Sequence, residues 1–241
     1  MAATTARESV RHFAGYETWK SISDRFLAAL LIVVLSPLLV IIALGVMIDS
    51  PGGPFFRQER IGKAGRKFTL YKFRSMHRKH DDSKYQAFLK KYIIENVSTR
   101  LDENGQDVYQ LIRDPRVTRF GFFLRRTSLD ELPQLVNILK GEMAFIGPRP
   151  DIPFAVNMYE ERHKARLRAR PGVTGLWQVS GRRKLSFDDM VRLDVEYIER
   201  QSLALDAKIL LFTVREMLFP DGAGKRVKDS AGDQPSKLET E

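Results

Sequence analysis

Residues 26–48 read FLAALLIVVLSPLLVIIALGVMI, an uncharged run of 23 positions from Phe26 to Ile48. At about 1.5 Å per helical residue, such a run matches a bilayer core of about 30 Å. Ser36-Pro37 interrupts it in the middle. Pro37 has no N–H and its ring presses on the carbonyl of Val33, so a helix here must kink. The Ser36 hydroxyl can turn back to a carbonyl freed by the proline, which helps the break survive in lipid.

The flanks bear on how this segment sits. Arg7, Arg11, Lys20 and Arg25 precede it; Arg57, Arg60, Lys63, Arg66 and Lys67 follow. Lys and Arg gather on the cytoplasmic side of membrane segments. A spanning helix satisfies that rule at one end. A re-entrant helix, entering and leaving by one leaflet, satisfies it at both. A plain kinked transmembrane anchor is the alternative. A secretory signal peptide does not fit, because the run is long and the following DSPGGPFF holds no small-residue cleavage site.

The chain has 241 residues, 43% of them hydrophobic, enough for one domain plus the membrane segment. It has no cysteine, which excludes disulfides and thiolate metal sites. A net charge of +10 suits nucleic acid, anionic lipid or a phosphorylated substrate. The basic residues are dispersed and no nucleic-acid module is recognisable, so lipid and phosphate are the expected partners and nucleic acid is not.

The pattern predicts an α+β fold, mostly helical with a small β-hairpin. Residues 1–19 form a polar lead-in, mobile or helical on the surface; 20–50 hold the membrane helix; 51–220 form a cytoplasmic domain; 221–241 form a disordered tail. Turn residues 49–54 end the apolar run. Residues 55–60 and 67–73, around Gly62 and Gly65, predict the hairpin. Residues 77–108 read as a surface excursion with a helix near 83–95 and a loop at 102–107. Thr118 to Arg126 mixes aromatics and arginines, as a helix in the headgroup layer or on the core does. Further helices are expected at 128–140, ended by Gly141, and at 153–168, 186–199 and 206–219; Leu205, Ile209, Phe212 and Leu218 supply one face of the last. Pro148-Arg149-Pro150 forces an extended corner. Residues 170–175 read as a loop, and 177–179 as a short strand.

Asp130 and Glu131 stand out chemically. Locally they read as structure: Ser128 with Glu131 forms a capping box, and acids favour a first helical turn. Pro133 also allows the helix to start later, leaving both acids on the turn before it. Their company favours function. Arg125 and Arg126 precede them, Arg149 is pinned between prolines, and Arg182 follows in Ser180-Gly181-Arg182. Arginine grips phosphate oxygens bidentately. Carboxylates beside arginines suit a Mg²⁺-diphosphate site, where the metal takes one or two carboxylates and substrate phosphates. A carboxylate can also attack phosphorus directly.

The chain resembles the small monotopic polyprenyl-phosphate phosphoglycosyltransferases, bacterial sugar transferases that begin exopolysaccharide and related glycan synthesis. The resemblance covers about residues 20–220. Its blocks are Asp24-Arg25, Ser36-Pro37, Phe56 to Gly62, Lys72 to Met76, Asp114 to Arg119, Arg126 to Leu135, Gly147 to Pro150, Arg170 to Gly175 and Gln178 to Arg182. It implies a re-entrant helix broken at Ser36-Pro37, amphipathic interfacial helices, and a catalytic domain on the cytoplasmic face of the bacterial inner membrane. It implies a ping-pong reaction with Asp130 as nucleophile: a UDP-sugar gives UMP and an aspartyl-phosphosugar, and polyprenyl (undecaprenyl) phosphate then takes the phosphosugar. Glu131 is expected to help hold Mg²⁺. Arg125, Arg149 and Arg182 are expected near the diphosphate or sugar, and Lys72 and Arg74 at the substrate.

Two departures stand out. The family often carries Lys-Arg before the helix where this chain has Lys20-Ser21, and the 77–108 excursion is longer than in compact members. The multi-helix N-terminal region of longer relatives is not expected, which makes this the minimal catalytic form. Residues 178–183 and 153–168 are expected selectivity elements. The sugar is not legible, and a homo-oligomer stays open. Two rivals, a scaffold of a polysaccharide export complex and a membrane-tethered nucleic-acid-binding regulator, fit the intact acids and the dispersed charge less well.

Overall fold

The computed structural model describes residues 2–77, 83–98, 100–101, 107–108, 116–181 and 184–218. Helix α1 runs Ala2–Val34 and α2 runs Ser36–Asp49. The polar lead-in is therefore helical and continuous with the apolar segment, with no boundary at residue 20. The break falls where the proline puts it. Val33 O loses its amide partner and takes the Ser36 hydroxyl instead, at 2.7 Å. Among the described residues no single helix is long and apolar enough to cross a membrane; Gly15–Val34 and Ser36–Asp49 pass that test together, bent by 66°.

Strands β1 (Phe55–Ile61) and β2 (Lys67–Phe73) form the expected antiparallel hairpin. Helix α3 (Ser83–Lys90) continues into a π-helical turn, Lys91–Glu95. Strands β3 (Arg100–Leu101) and β4 (Asp107–Val108) pair antiparallel. Then come α4 (Arg119–Arg126), a 3-10 turn (Leu129–Gln134), α5 (Leu135–Lys140) and β5 (Ala144–Ile146). The chain continues with α6 (Pro153–Val156), α7 (Glu161–Lys164), a second 3-10 turn (Ala165–Arg168), β6 (Gly172–Thr174), α8 (Leu176–Ser180), α9 (Phe187–Arg200) and α10 (Leu203–Leu218). The fold is α+β and mostly helical.

Several expectations need correction. The 153–168 helix is three short pieces: the chain leaves α6 after Val156 and restarts at Glu160, whose extended backbone and side chain cap α7. The 170–175 loop contains β6, which pairs parallel with β5. The 177–179 strand is the helix α8. The 77–108 segment is no mere surface excursion. Leu89 and Ile93 bury against Ala155, Tyr159, Phe187, Met190 and Val191. The tail at 221–241 lies outside the described residues, as does most of the 102–107 loop.

Four apolar clusters hold these pieces around the acids. Ala28 of α1 packs with Leu70, Leu135, Ile138 and Met143. Ile42 and Val46 of α2 pack with Phe73 and Leu124, and Leu129 and Leu132 of the acidic turn join them. Each such fully buried aliphatic contributes about 1.5–3 kcal/mol by leaving water. The bent helix pair is thus the floor under the acidic turn. Its outer face stays apolar: Phe26, Val33, Val40, Ile41 and Ile48 are all exposed. Phe122 and Phe123 of α4, and Leu203, Leu211 and Val214 of α10, are exposed too.

A buried polar knot ties the first helix to the last. Asp206 accepts from Lys20 Nζ at 2.6 Å, from Tyr16 OH at 2.7 Å and from Tyr197 OH at 2.8 Å. Lys20 also lies 3.6 Å from Asp24.

Candidate active site

The acids sit on a turn of unusual shape. Ser128 adopts φ +57° and makes no side-chain cap, so the expected capping box is not formed. Its left-handed backbone swings the chain out of α4 and into the 3-10 turn carrying Asp130 and Glu131. A β-carbon in that region costs on the order of 1 kcal/mol, and such strain tends to mark functional turns. The regular helix α5 starts only after Pro133, so both acids lie on the turn before it.

Asn137 fixes the hairpin against this turn. It is fully buried; its Nδ2 donates to Thr69 O at 2.6 Å and its Oδ1 accepts from Tyr71 N–H at 3.1 Å. Those bonds set the register of β2, and Lys72, next along the strand, reaches the acids. Lys72 Nζ donates to Glu131 Oε1 at 2.7 Å and lies 3.8 Å from Asp130 Oδ2. From the opposite side comes Arg149, on the Pro148-Arg149-Pro150 corner. Its Nη2 meets Glu131 Oε1 at 2.7 Å and its Nη1 meets Oε2 at 3.4 Å.

The two neighbouring acids are therefore unlike. Burial disfavours charge on Glu131, but Arg149 and Lys72 outweigh it and hold its carboxyl well below the usual carboxylate range. Burial pushes Asp130 up, and the adjacent Glu131 adds to that, against the pull of Lys72. Lys72 is itself lowered by burial, and Arg149 is raised by Glu131. Among the described residues Lys72 is the sole ion-pair neighbour of Asp130 within 4 Å. Glu131 is bonded to two cations; Asp130 is buried and, among the described residues, has Lys72 alone within ion-pair reach.

The other expected site residues divide. Arg125 ends α4 and donates through Nε to Ser75 Oγ at 2.9 Å, close enough to lower Asp130 slightly. Arg74 does not join the acids. Its guanidinium is buried under the end of α2, donating to Pro51 O at 2.8 Å and Ser50 O at 2.5 Å, because the turn there exposes carbonyls that need donors. Arg182 lies outside the described residues. Arg60, Asp151 and Arg166 support the Arg149 corner. Arg60 stands in the Phe56 to Gly62 block, whereas Arg166 carries no local signal.

Among the described residues, no three acidic or histidine side chains gather as a metal site. A divalent ion placed here could take oxygens of Asp130 and Glu131 together with substrate phosphates. Two carboxylates face two cations, Lys72 and Arg149, with Arg125 also near Asp130. The uncommitted oxygens of Asp130 fit that ion more readily than those of Glu131.

Residues 15–220 match the model of the bacterial sugar transferases, and the chain belongs to that family. It is 42% identical over 187 residues to the galactosyl transferase CpsE of Streptococcus agalactiae, covering 77% of this chain and 39% of that protein. It is 39% identical over 212 residues to the UDP-glucose:undecaprenyl-phosphate glucose-1-phosphate transferase of Xanthomonas campestris, covering 83% of this chain and 38% of that protein. To the exopolysaccharide production protein ExoY of Rhizobium meliloti it is 36% identical over 200 residues, covering 83% and 85%. The chain thus spans about two fifths of several curated relatives and most of ExoY.

Proposed function

We propose that this chain transfers a sugar 1-phosphate from a UDP-sugar to polyprenyl (undecaprenyl) phosphate, releasing UMP, as a first membrane step of exopolysaccharide or related glycan synthesis. The observation that carries the reading is the division between Asp130, buried and uncommitted, and Glu131, saturated by Lys72 and Arg149. The activities of the relatives point the same way.

In this reading an Asp130 oxygen attacks the β-phosphorus. A new O–P bond forms, the bond from the β-phosphorus to the bridging oxygen breaks, and UMP leaves with that oxygen. The polyprenyl phosphate oxygen then attacks the same phosphorus, the Asp130 bond breaks, and the polyprenyl-diphosphate-sugar departs. Arg149 and Lys72 hold phosphate oxygens and offset charge as it develops. Arg125 and Arg182 are assigned to the diphosphate or sugar. Mg²⁺, held by Glu131 and Asp130, would supply Lewis-acid stabilisation of the phosphoryl oxygens. Burial raises the proton affinity of Asp130, and Lys72, 3.8 Å away, pulls it back toward the ionised form needed for attack.

The membrane geometry follows the same reading. The bent α1–α2 pair enters and leaves one leaflet, its exposed apolar face in lipid and its basic flanks on the cytoplasmic side. A soluble nucleotide sugar and a lipid phosphate then reach one site. The test is UMP release by purified protein in nanodiscs, with Mg²⁺, undecaprenyl phosphate and a panel of UDP-sugars, beside Asp130→Asn. Release with one sugar, abolished in the variant, supports the reading and names the sugar. A variant as active as wild type sinks Asp130 as nucleophile.

A further inference from the structure

The corner that carries Arg149 contains two prolines, so between residues 148 and 151 only Arg149 and Asp151 have backbone N–H groups. It cannot brace itself with a regular ladder. Instead each of its four carbonyls accepts a donor from elsewhere. Pro148 O takes Gly172 N–H at 2.9 Å, and Asp151 O takes Ile61 N–H at 2.9 Å. Arg149 O takes Arg166 Nη2 at 3.1 Å, and Pro150 O takes Arg60 Nη1 at 3.1 Å. Gly147 and Gly172 let the chains come this close, since a Cβ on either would strike the other's backbone.

Arg166 does more than fill a bond. It is 2% exposed. Its Nη1 donates to Asp151 Oδ2 at 2.6 Å and to Tyr159 OH at 2.7 Å, and Tyr159 OH also bonds Asp151. Its Nη2 lies 2.7 Å from Asp194 Oδ2. Burying a guanidinium is expensive, and an apolar side chain of similar size would often serve stability as well. What the planar fork adds is direction: it bridges the carbonyl of Arg149 and the side chain of Asp151 in one rigid plane.

We propose that Arg166 is a positioning residue for Arg149. By holding the Arg149 carbonyl and the Asp151 carboxylate, it sets the Arg149 guanidinium over Glu131 before a diphosphate arrives. The inference deepens the transferase reading and rests on it. Misplacing a phosphate-binding group by about 1 Å can cost on the order of 100-fold in rate.

The test is Arg166→Lys, which keeps the charge and loses the fork. Its kcat/KM for the UDP-sugar is expected to fall on the order of tenfold to 100-fold. In an Arg149→Ala background the same substitution is expected to cost almost nothing more, because its effect runs through Arg149. Amide exchange at Gly172 and Ile61, whose N–H groups donate to the corner carbonyls, is expected to speed up with Tm held within a few degrees. Costs that add across the double variant would overturn the proposal, and so would unchanged exchange at the corner. Exchange needs no substrate. A loosened corner in a protein that releases no UMP from any UDP-sugar would sink the transferase reading and still support the hold of Arg166 on the corner. If Arg166→Lys fails to fold, Tyr159→Phe removes one partner of Arg166. A smaller loss in the same direction, again dependent on Arg149, supports the proposal; an additive loss overturns it.

Discussion

Two arginine–carboxylate clusters flank one corner of the chain, and they do opposite work. On one side Arg149 and Lys72 meet Glu131, with Asp130 beside them; the Arg149 side chain is 33% exposed. On the other side Arg166 meets Asp151 and Asp194, and the side chains of Arg166 and Asp194 are 2% and 1% exposed. The residue types are the same. The first cluster has an open side and a carboxylate left over, so it can exchange its partners for a ligand. The second is buried at Arg166 and Asp194, with Asp151 26% exposed, and every carboxylate in it faces Arg166, so it holds its shape.

The largest expected effect is at the spare acid. Asp130→Asn should cut UMP release on the order of 10⁴-fold, as losing a nucleophile does. It should not lower Tm, because burial already disfavours the charge that is removed. A large drop in Tm would place Asp130 among holding groups and erase the contrast. Next is Glu131→Gln, which strands Lys72 and Arg149 without a counter-charge. Removing one partner of a buried pair costs about 3–5 kcal/mol. Glu131 is 15% exposed, so a loss near the lower end is expected at pH 7, read by urea unfolding. Its carboxyl is held below the ordinary 4.5, so the stability it supplies is present above that pH and lost as the pH falls further. The gap between wild type and variant should close in acid.

The closed cluster should titrate with the opposite sign. Burial pushes Asp194 from 3.8 up to about 7, against the pull of Arg166; although Asp194 Oδ2 lies close to Arg166, neither of its oxygens has hydrogen-bond geometry. The contribution of Asp194 is complete below pH 3.8 and is lost as the pH rises through about 7. Asp194→Asn should therefore gain on wild type between pH 4 and 8, by up to about 1.4 kcal/mol per pH unit. Parallel stability curves for the two proteins would show that the clusters do not differ in this way. The smallest effect is expected at Ser128→Ala. A lost N-cap costs about 1 kcal/mol, but Ser128 caps nothing, so the change should stay within about 0.5 kcal/mol.

Local features were legible and long-range ones were not. The break at Pro37 and the 55–73 hairpin follow from residues next to each other: a missing N–H in one case, alternation around glycines in the other. Strand β6 is three residues long and pairs with β5 across residues 147–171, so no neighbour announces it. The 153–168 segment carries enough charge for a surface helix, yet Arg166 turns inside and breaks the period. The acids were legible through their arginine neighbours and the family blocks. Arg149, expected beside them, meets Glu131, whereas tertiary contacts gave Arg74, expected at the same site, to the end of α2.

The knot at Asp206 also sets a timetable. Lys20 and its partner Asp206 are 186 residues apart. At roughly 5–20 residues per second, the ribosome reaches Asp206 about 10–40 s after Lys20. For that interval Lys20 has Asp24, one turn on and 3.6 Å away, but lacks its shorter contact to Asp206. The apolar half of the helix can pack on Leu70 and Leu135 before Asp206 exists, while its polar half waits for that partner. The final seating of the helix on the domain is therefore one of the last events in the birth of the protein.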